Sequence, residues 1–337
     1  MGFVVWKIFP CEEEKKEQTN PCLIADISEM VEEHIQIDPT FKTTRCYLKI
    51  TTQSVKERLN NQKGYKASFC CHKTLNSILN RLGYGLKKVL KCKPLKKIPQ
   101  TDAIFDNVSV RHNEAKQDKG ILRISIDTKA IVKIGELSRG GYNRLPTPLK
   151  TCDHDQHWDS ILIPFGIHEI NHDHVNLYFG NSSSTAHFIV DALEQWYEDR
   201  KEHIKDYHTI MIDSDNGKPN ASNSGFFMER MVTFSQKINK KIQLVYYPPY
   251  HSKYNPIERF WAILEKYWSG CILDSVENTF KIVQNVKYKG HQISSKLLDK
   301  IYQKTKVYNK KDWAKINPFI ERKNEIEKWD VLISPFN

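Results

Sequence analysis

Residues 246–269 read YYPPYHSKYNPIERFWAILEKYWS. An apolar, strand-like run at residues 242–245 precedes them, and Pro248 and Pro249 end sheet pairing because neither has an N–H to donate. Asn255 followed by Pro256 predicts a helix start, with the Asn side chain as the cap and proline at the first helical position. The stretch therefore predicts a strand, a rigid proline loop and a helix.

Glu258 falls in the first turn of that predicted helix, where the helix dipole favours a negative charge. Apolar residues recur at helical spacing behind it and predict a face that seats the helix on a core: Phe260, Trp261, Leu264 and Trp268. An acid at a fixed place on an anchored helix is typical of an active site. The alternative is an ordinary first-turn carboxylate.

The positive charge of the chain is unevenly placed. The net charge is +11, and residues 42–123 hold 19 Lys and Arg against 5 Asp and Glu. This basic stretch predicts a module that binds a polyanion, joined to a nearly neutral domain. The alternative is a solvated lysine-rich surface.

Two short helices separated by a glycine-containing turn predict a helix-turn-helix within this basic stretch. The first is expected at residues 52–60, the turn at 61–64, and the second at 71–82 with its apolar residues buried. Candidate DNA contacts on its exposed face are His72, Lys73, Asn76 and Asn80. A lysine-rich segment follows, in which further backbone contacts are expected from Lys87, Lys88, Lys91 and Lys93.

The chain of 337 residues contains eight cysteines but no Cys-x-x-Cys pair. No run approaches the roughly 20 apolar residues of a membrane span. These features predict a protein with reduced thiols in the cytoplasm that is not associated with a membrane.

From residue 120 the pattern changes to alternating strands and helices, which predicts a mixed sheet covered on both faces. Three acids stand at ends of these elements: Asp127 after the first strand, Asp215 just past a later strand, and Glu258. Asp213 competes with Asp215 for the second position. Three such carboxylates suit two divalent ions about 3.5–4 Å apart, which phosphoryl transfer uses. The alternative is three unrelated turn or cap residues.

The segment from Ser125 to Trp268 resembles the insertion-sequence transposases whose catalytic part is the Rhodopirellula-type DDE domain, relatives of the Tc/mariner group. Residues 246–259 are similar to that group's proline loop and Asn-Pro-x-Glu signature. Residues 125–129 resemble its first-aspartate strand, and residues 74–84 resemble the end of its helix-turn-helix. Residues 214–217 resemble its second-aspartate turn, which favours Asp215 over Asp213, although the tract departs from the common Ala-Asp-Gly-Gly form.

The resemblance, which spans residues 23–325, implies an α/β fold with a ribonuclease-H-like mixed sheet flanked by helices, preceded by an all-α helix-turn-helix domain. It implies a DNA transposase in which Asp127, Asp215 and Glu258 hold two Mg²⁺ or Mn²⁺ ions. The expected partners are double-stranded DNA, as terminal inverted repeats and as target, and a second copy of the chain in a homodimer or larger assembly. The predicted domains are a helix-turn-helix at 23–98, a linker at 99–119, a catalytic domain at 120–274 and a helical extension at 275–330.

Two other functions fit the same residues. One is a DNA-binding protein that descends from a transposase and has lost its activity. The other is a ribonuclease-H-like nuclease that cleaves DNA without joining it. An intact Asp, Asp and Glu set argues against the first, and only strand-transfer products would exclude the second.

Overall fold

The structure is a computed structural model that describes residues 16–32, 35–37, 46–48, 51–66, 68–85, 98–152, 157–303 and 310–336. The chain folds as two compact units, Met1–Cys92 and Lys93–Asn337. Within the described ranges, no helix is both long and apolar enough to cross a membrane.

The first unit is mainly helical. Its elements are α1 (Lys16–Thr19), α2 (Leu23–Glu32), β1 (Ile35–Ile37), β2 (Cys46–Leu48), α3 (Thr52–Lys63) and α4 (His72–Arg81). Helices α2, α3 and α4 share one buried apolar cluster, and strands β1 and β2 form a separate antiparallel pair. The predicted pair of helices is therefore confirmed.

Helix α3 is longer than predicted. The Thr51 hydroxyl accepts a hydrogen bond from the Ser54 amide, which caps the first turn. The helix then continues to Lys63 and ends at Gly64, which adopts a φ of +74°. Residues 61–63 were predicted as part of the turn but are helical. Asn and Gln can continue a helix, and this one ends only where Gly64 adopts a left-handed backbone conformation.

The second unit contains the remaining elements. The helices are α5 (Thr101–Gln117), α6 (Ala186–Ile204), α7 (Gly225–Ile238), α8 (Glu258–Trp268), α9 (Val276–Val283) and α10 (Lys310–Ile316). The strands are β3 (Ile121–Thr128), β4 (Val132–Ile134), β5 (Ser160–Glu169), β6 (His174–Gly180), β7 (Thr209–Ser214), β8 (Lys241–Tyr246), β9 (Lys287–Tyr288), β10 (His291–Gln292), β11 (Ser294–Leu298), β12 (Ile320–Arg322) and β13 (Asp330–Ile333).

One mixed sheet forms the centre of the second unit. Its strand order is β11-β6-β5-β3-β7-β8-β13-β12, and β4 pairs with β5. Strands β6, β5 and β3 are antiparallel neighbours, whereas β3, β7 and β8 run parallel. This central order, an antiparallel meander followed by two parallel strands, is the predicted ribonuclease-H-like fold.

Helices cover both faces of this sheet. Helices α6 and α7 bury their apolar sides on one face, together with β3 side chains such as Leu122, Ile124 and Ile126. On the other face, α8 and α9 pack over β5 and β6, and α5 packs over β7 and β8. Strand β3 is thus enclosed on both sides, and its carboxyl end opens at one edge of the sheet.

Two segments differ from the prediction. Residues 99–119, predicted as a polar linker, contain the 17-residue helix α5, whose Ile104, Val108 and Ala115 are buried against the sheet. Residues 275–330, predicted to be helical, contain α9 and α10 but also strands, of which β11 and β13 extend the sheet at β6 and β8. In both segments charged residues lie between the apolar ones. They obscure the regular spacing of apolar residues by which a helix or strand with one buried side is recognised.

Candidate active site

Two of the predicted acids lie at the carboxyl ends of neighbouring parallel strands. Ser125 of β3 pairs with Asp213 of β7, so Asp127 and Asp215 each lie two positions further along, at the same edge of the sheet. Both side chains are half-buried, and both line one cavity of about 280 Å³. The structure brings these two residues together.

Glu258, the third predicted acid, is the first residue of α8 and is also half-buried. The four apolar side chains that were predicted to seat this helix are all buried, which confirms that prediction. One turn after Glu258, Trp261 Nε1 donates a hydrogen bond of 2.8 Å to Asp127 Oδ2. The helix that carries Glu258 is therefore in direct contact with Asp127.

The predicted helix cap at Asn255 is wrong. Helix α8 begins at Glu258, and no side chain caps it. The Asn255 residue is 2% exposed, and its side chain reaches β3 instead. There its oxygen accepts a hydrogen bond from the Ser125 hydroxyl, and its Nδ2 donates one of 2.8 Å to the Ile126 carbonyl. The Ser125 hydroxyl in turn accepts from the Ile257 amide at 3.0 Å. Asn255 thus fixes the start of α8 to the strand that ends in Asp127.

Gly166 allows this close contact between helix and sheet. It lies directly opposite Asp127 in the antiparallel pairing of β5 with β3. A Cβ atom at this position would lie 2.9 Å from the Trp261 ring and 3.0 Å from the Ile257 side chain. Gly166 was not among the predicted site residues, although a glycine within an apolar strand is itself a signal of close approach.

The turn after β7 positions Asp215. Asn220 donates through Nδ2 to the Asp215 carbonyl at 2.9 Å and to the Ser214 hydroxyl at 3.1 Å. The Tyr246 hydroxyl donates to the Asn220 carbonyl at 2.9 Å, which connects the turn to β8. Asn220 is a second positioning residue that sequence patterns did not identify, because its partners depend on the fold.

The three carboxylates act on one another electrostatically. The pKa of Asp127 is raised to about 7, chiefly by burial and in addition by the negative charges of Glu258 and Asp215, whereas the Trp261 N–H acts to lower it. Lys129, which lines the same cavity, is engaged by Glu265 at 2.8 Å. The cluster therefore holds excess negative charge that a bound cation would offset.

The donor set suits a hard divalent cation, since carboxylate oxygens are the ligands that Mg²⁺ and Mn²⁺ favour. Within the described residues, no three His, Cys, Asp or Glu side chains already stand in a metal-binding arrangement. The fit therefore depends on the chemistry of the oxygen donors and on the shared cavity that Asp127 and Asp215 line.

Asp213, the competitor of Asp215, has different surroundings. Its side chain is fully buried, Arg123 Nη2 lies 2.6 Å from Oδ2, and His112 Nε2 lies 3.1 Å from Oδ1. Arg123 already balances its charge, and His112 adds a polar contact from α5. Asp213 is thus part of a buried ion pair between β3 and β7, and Asp215 is the acid that faces the cavity.

The candidate DNA contacts on α4 are solvent-exposed, as predicted for His72, Lys73, Asn76 and Asn80. Leu75, Ile78 and Leu79 on the opposite side are buried in the core of the first unit. The other candidate contacts lie outside the described residues: Lys87, Lys88, Lys91 and Lys93.

Comparison with known proteins gives a family match across most of the chain. The family model described as "Rhodopirellula transposase DDE domain" matches residues 26–335. No curated protein sequence matches the chain.

Solved structures that resemble the chain include complexes of the Mos1 transposase. The "Mos1 transposase paired-end complex with left transposon end" has 12% sequence identity and a TM-score of 0.42, and the match covers 77% of this chain and 68% of that one. The "mariner Mos1 paired end complex with Mg" has 11% identity and a TM-score of 0.41, and covers 83% and 74%. At such TM-scores the likeness says nothing about what this chain binds.

Proposed function

Because the chain belongs to the Rhodopirellula transposase DDE domain family, we propose that it is a DNA transposase that binds the terminal inverted repeats of its element, cleaves the strand ends and joins them to target DNA. Asp127, Asp215 and Glu258 form the proposed active site. The observation that carries this assignment is that Asp127 and Asp215 line one cavity at the ends of neighbouring strands, while the helix that begins with Glu258 is hydrogen-bonded to Asp127 through Trp261.

Two Mg²⁺ or Mn²⁺ ions, when bound, would activate the attacking oxygen and stabilise the leaving one. Asp127 and Glu258 would hold these ions through their carboxylate oxygens, and Asp215 would complete the set of ligands. The side chains act as ligands, and the nucleophile is water in cleavage and a DNA 3′-hydroxyl in joining. Trp261 orients the Asp127 carboxylate through its N–H.

The remaining residues of the site hold its shape. Asn255 and Ser125 keep the start of α8 against β3, so Glu258 and Asp127 cannot separate without breaking buried hydrogen bonds. Preorganised ligands reduce the cost of assembling a charged site at the moment of reaction. Asn220 does the same for the Asp215 turn.

DNA recognition is assigned to residues 23–98, with 120–274 as the catalytic part. The exposed face of α4 carries His72, Lys73, Asn76 and Asn80, which suit phosphate and base-edge contacts in a groove. The lysines at 87, 88, 91 and 93 add charge for the DNA backbone. Two ends must be brought together, so a homodimer or larger assembly on DNA is proposed, in the cytoplasm at the nucleoid.

The test is Mg²⁺-dependent cleavage and joining of DNA that carries the element's ends. Glu258→Gln keeps the size of the side chain but removes its charge, so we expect unchanged DNA binding and a loss of cleavage of at least about 100-fold. The matched control is Glu277→Gln, which changes an exposed first-turn glutamate of α9.

Each alternative function has its own outcome in this assay. Wild-type protein that binds the ends but never nicks them would be an inactive descendant of a transposase. Cleaved ends without joined products would indicate a nuclease. Wild-type cleavage by the Glu258→Gln variant would remove Glu258 from the mechanism.

A further inference from the structure

The loop between β8 and α8 exposes two tyrosines beside the candidate active site. Tyr250 is 57% exposed and Tyr254 is 51% exposed. Strand β8 runs parallel to β7, so the loop leaves the sheet at the same edge as Asp215. Asn255, next to Tyr254, contacts the residue that precedes Asp127. The loop therefore flanks the acids.

Tyr250 adopts a backbone conformation that is unfavourable for its residue type. Its φ is +65°, and the His251 amide donates to the Pro248 carbonyl at 3.2 Å, which closes a four-residue turn. In such a turn, with Pro249 second and a positive φ third, the third position favours glycine or asparagine. A bulky aromatic residue held there is an outlier of the kind that occurs at functional sites.

Tyr254 is supported from within the second unit. The Phe105 ring of α5 packs edge-on against it with centroids 5.1 Å apart, and the buried His251 ring lies at 6.1 Å, nearly parallel. His251 is itself fixed by a hydrogen bond of 2.7 Å between its Nδ1 and the Pro249 carbonyl. Lys253 Nζ lies 5.2 Å from the Tyr254 ring centre and brings a positive charge to the same surface.

Within the described part of the chain, the Tyr250 side chain makes no hydrogen bond, ion pair or ring contact. Tyr250 is thus a solvent-exposed aromatic side chain on a strained backbone, with a lysine nearby. Such a surface suits a flat apolar ligand that carries a neighbouring negative charge. An unpaired nucleobase and its phosphate have this chemistry, since every base presents a π-face for stacking.

We propose that Tyr250 and Tyr254 form a stacking platform for an unpaired base of the DNA strand that enters the active site, with Lys253 beside its phosphate. The inference rests on the proposed function, because it places the DNA strand end at the three acids. Stacking on protein aromatics compensates for the stacking that a base loses when it leaves the duplex.

The test uses the full chain without divalent ions, so that binding is measured apart from cleavage. The two probes are a DNA duplex with a short unpaired thymine tail and the same duplex whose tail consists of abasic sites. The variants are Tyr250→Gly and Tyr254→Leu. The control is Tyr142→Gly, which changes a 99% exposed tyrosine in a different loop.

The wild type should bind the thymine tail about tenfold more tightly than the abasic tail. Tyr250→Gly should remove this difference and leave affinity for the abasic tail unchanged. Its melting temperature should equal or exceed that of the wild type, since glycine relieves the positive φ. A loss of affinity through misfolding cannot produce that combination.

The inference is overturned if Tyr250→Gly and Tyr254→Leu weaken both probes equally, if they weaken neither, or if they change only the oligomeric state, which would assign the tyrosines to a second copy of the chain. Mg²⁺-dependent cleavage of DNA by the wild type is measured in parallel. Cleavage without a base-dependent effect refutes only the platform, whereas absence of cleavage refutes the proposed function.

Discussion

At Asp127, burial raises the pKa of the carboxyl to about 7, and the charges of Glu258 and Asp215 act in the same direction. The ordinary value for this group is 3.8. Between those two pH values the folded protein keeps a proton that the unfolded chain has lost. Without divalent ions, the contribution of Asp127 to stability is therefore present below about pH 4 and is lost as the pH rises towards 7.

Asp127→Asn should stabilise the ion-free protein, and more so at high pH. The amide oxygen still accepts from Trp261, but the charge that Glu258 and Asp215 repel is gone. The gain in the free energy of unfolding should grow by on the order of 2 kcal/mol between pH 5 and pH 8. Urea unfolding at the two pH values measures it.

A control for this prediction is Asp106→Asn, which removes an exposed acid on α5. It should not show the pH-dependent gain. Mg²⁺ should stabilise the wild type and have little effect on Asp127→Asn, since the proposed ligand is missing. If Asp127→Asn raised the free energy of unfolding by the same amount at both pH values, the account of an unfavourable charge on Asp127 would be contradicted.

Individual residues of the site differ in how well the sequence predicted them. The positions of Asp127 and Glu258 could be predicted because a strand end and a first helical turn are local patterns. Asn255 precedes Pro256, and that local pattern predicted a cap, but its partner Ser125 lies 130 residues away in the chain. A contact of that separation depends on the fold and is not visible in local sequence.

At the scale of elements, the distance between α8 and the sheet is set at Gly166 of β5. The Trp261 ring occupies the space where a Cβ atom would lie, at 2.9 Å. Because Trp261 also bonds Asp127, a displacement of the helix would disturb the acid directly. The packing of one helix on one strand therefore determines the geometry between Asp127 and Glu258.

Gly166→Ala should lower both stability and cleavage. The added methyl group forces α8 away from β5, and overpacking of this kind costs about 1–3 kcal/mol. Cleavage by the folded fraction should fall by at least about tenfold, because ligand geometry changes with the helix. Thermal unfolding and single-turnover cleavage of the same preparations measure the two effects.

The matched variant is Gly180→Ala, where the new Cβ atom would meet the Phe188 ring at 2.9 Å in the core beneath α6. It should lose comparable stability but keep its cleavage rate per folded molecule. If both variants lost activity only in proportion to their folded fraction, the position of α8 would not control the site.

Elements with a strong apolar period were predicted well, and others were not. Strands β5 and β6 and helices α6 and α7 carry continuous or regular apolar residues, and they form the mixed sheet and the covering helices that this pattern predicted. Helix α5 buries only scattered residues and was taken for a linker. Strands β11 and β13 were missed because pairing with β6 and β8, not their own sequence, makes them strands.

At the scale of the whole molecule, positive charge is concentrated in residues 42–123, which hold 19 Lys and Arg against 5 Asp and Glu. DNA binding should therefore weaken steeply with salt. Lys73→Ala on the exposed face of α4 should lower the affinity and reduce the slope of log K against log salt by about one. Fluorescence anisotropy across a salt series measures the slope.

Lys63→Gln is the control for this prediction, since Lys63 already pairs with Asp26 at 3.2 Å and Glu29 at 2.7 Å. Its loss should leave the slope close to the wild-type value. A Lys73→Ala protein with unchanged slope would mean that α4 does not contact the DNA backbone through this residue.

The account as a whole depends on Asp127, Asp215 and Glu258 sharing divalent ions. The most direct measurement is anomalous diffraction from crystals of the protein grown with Mn²⁺. It should show two peaks about 3.5–4 Å apart, in contact with oxygens of all three side chains. A crystal with Mn²⁺ bound elsewhere and none at these acids, or with Asp213 in place of Asp215, would contradict it.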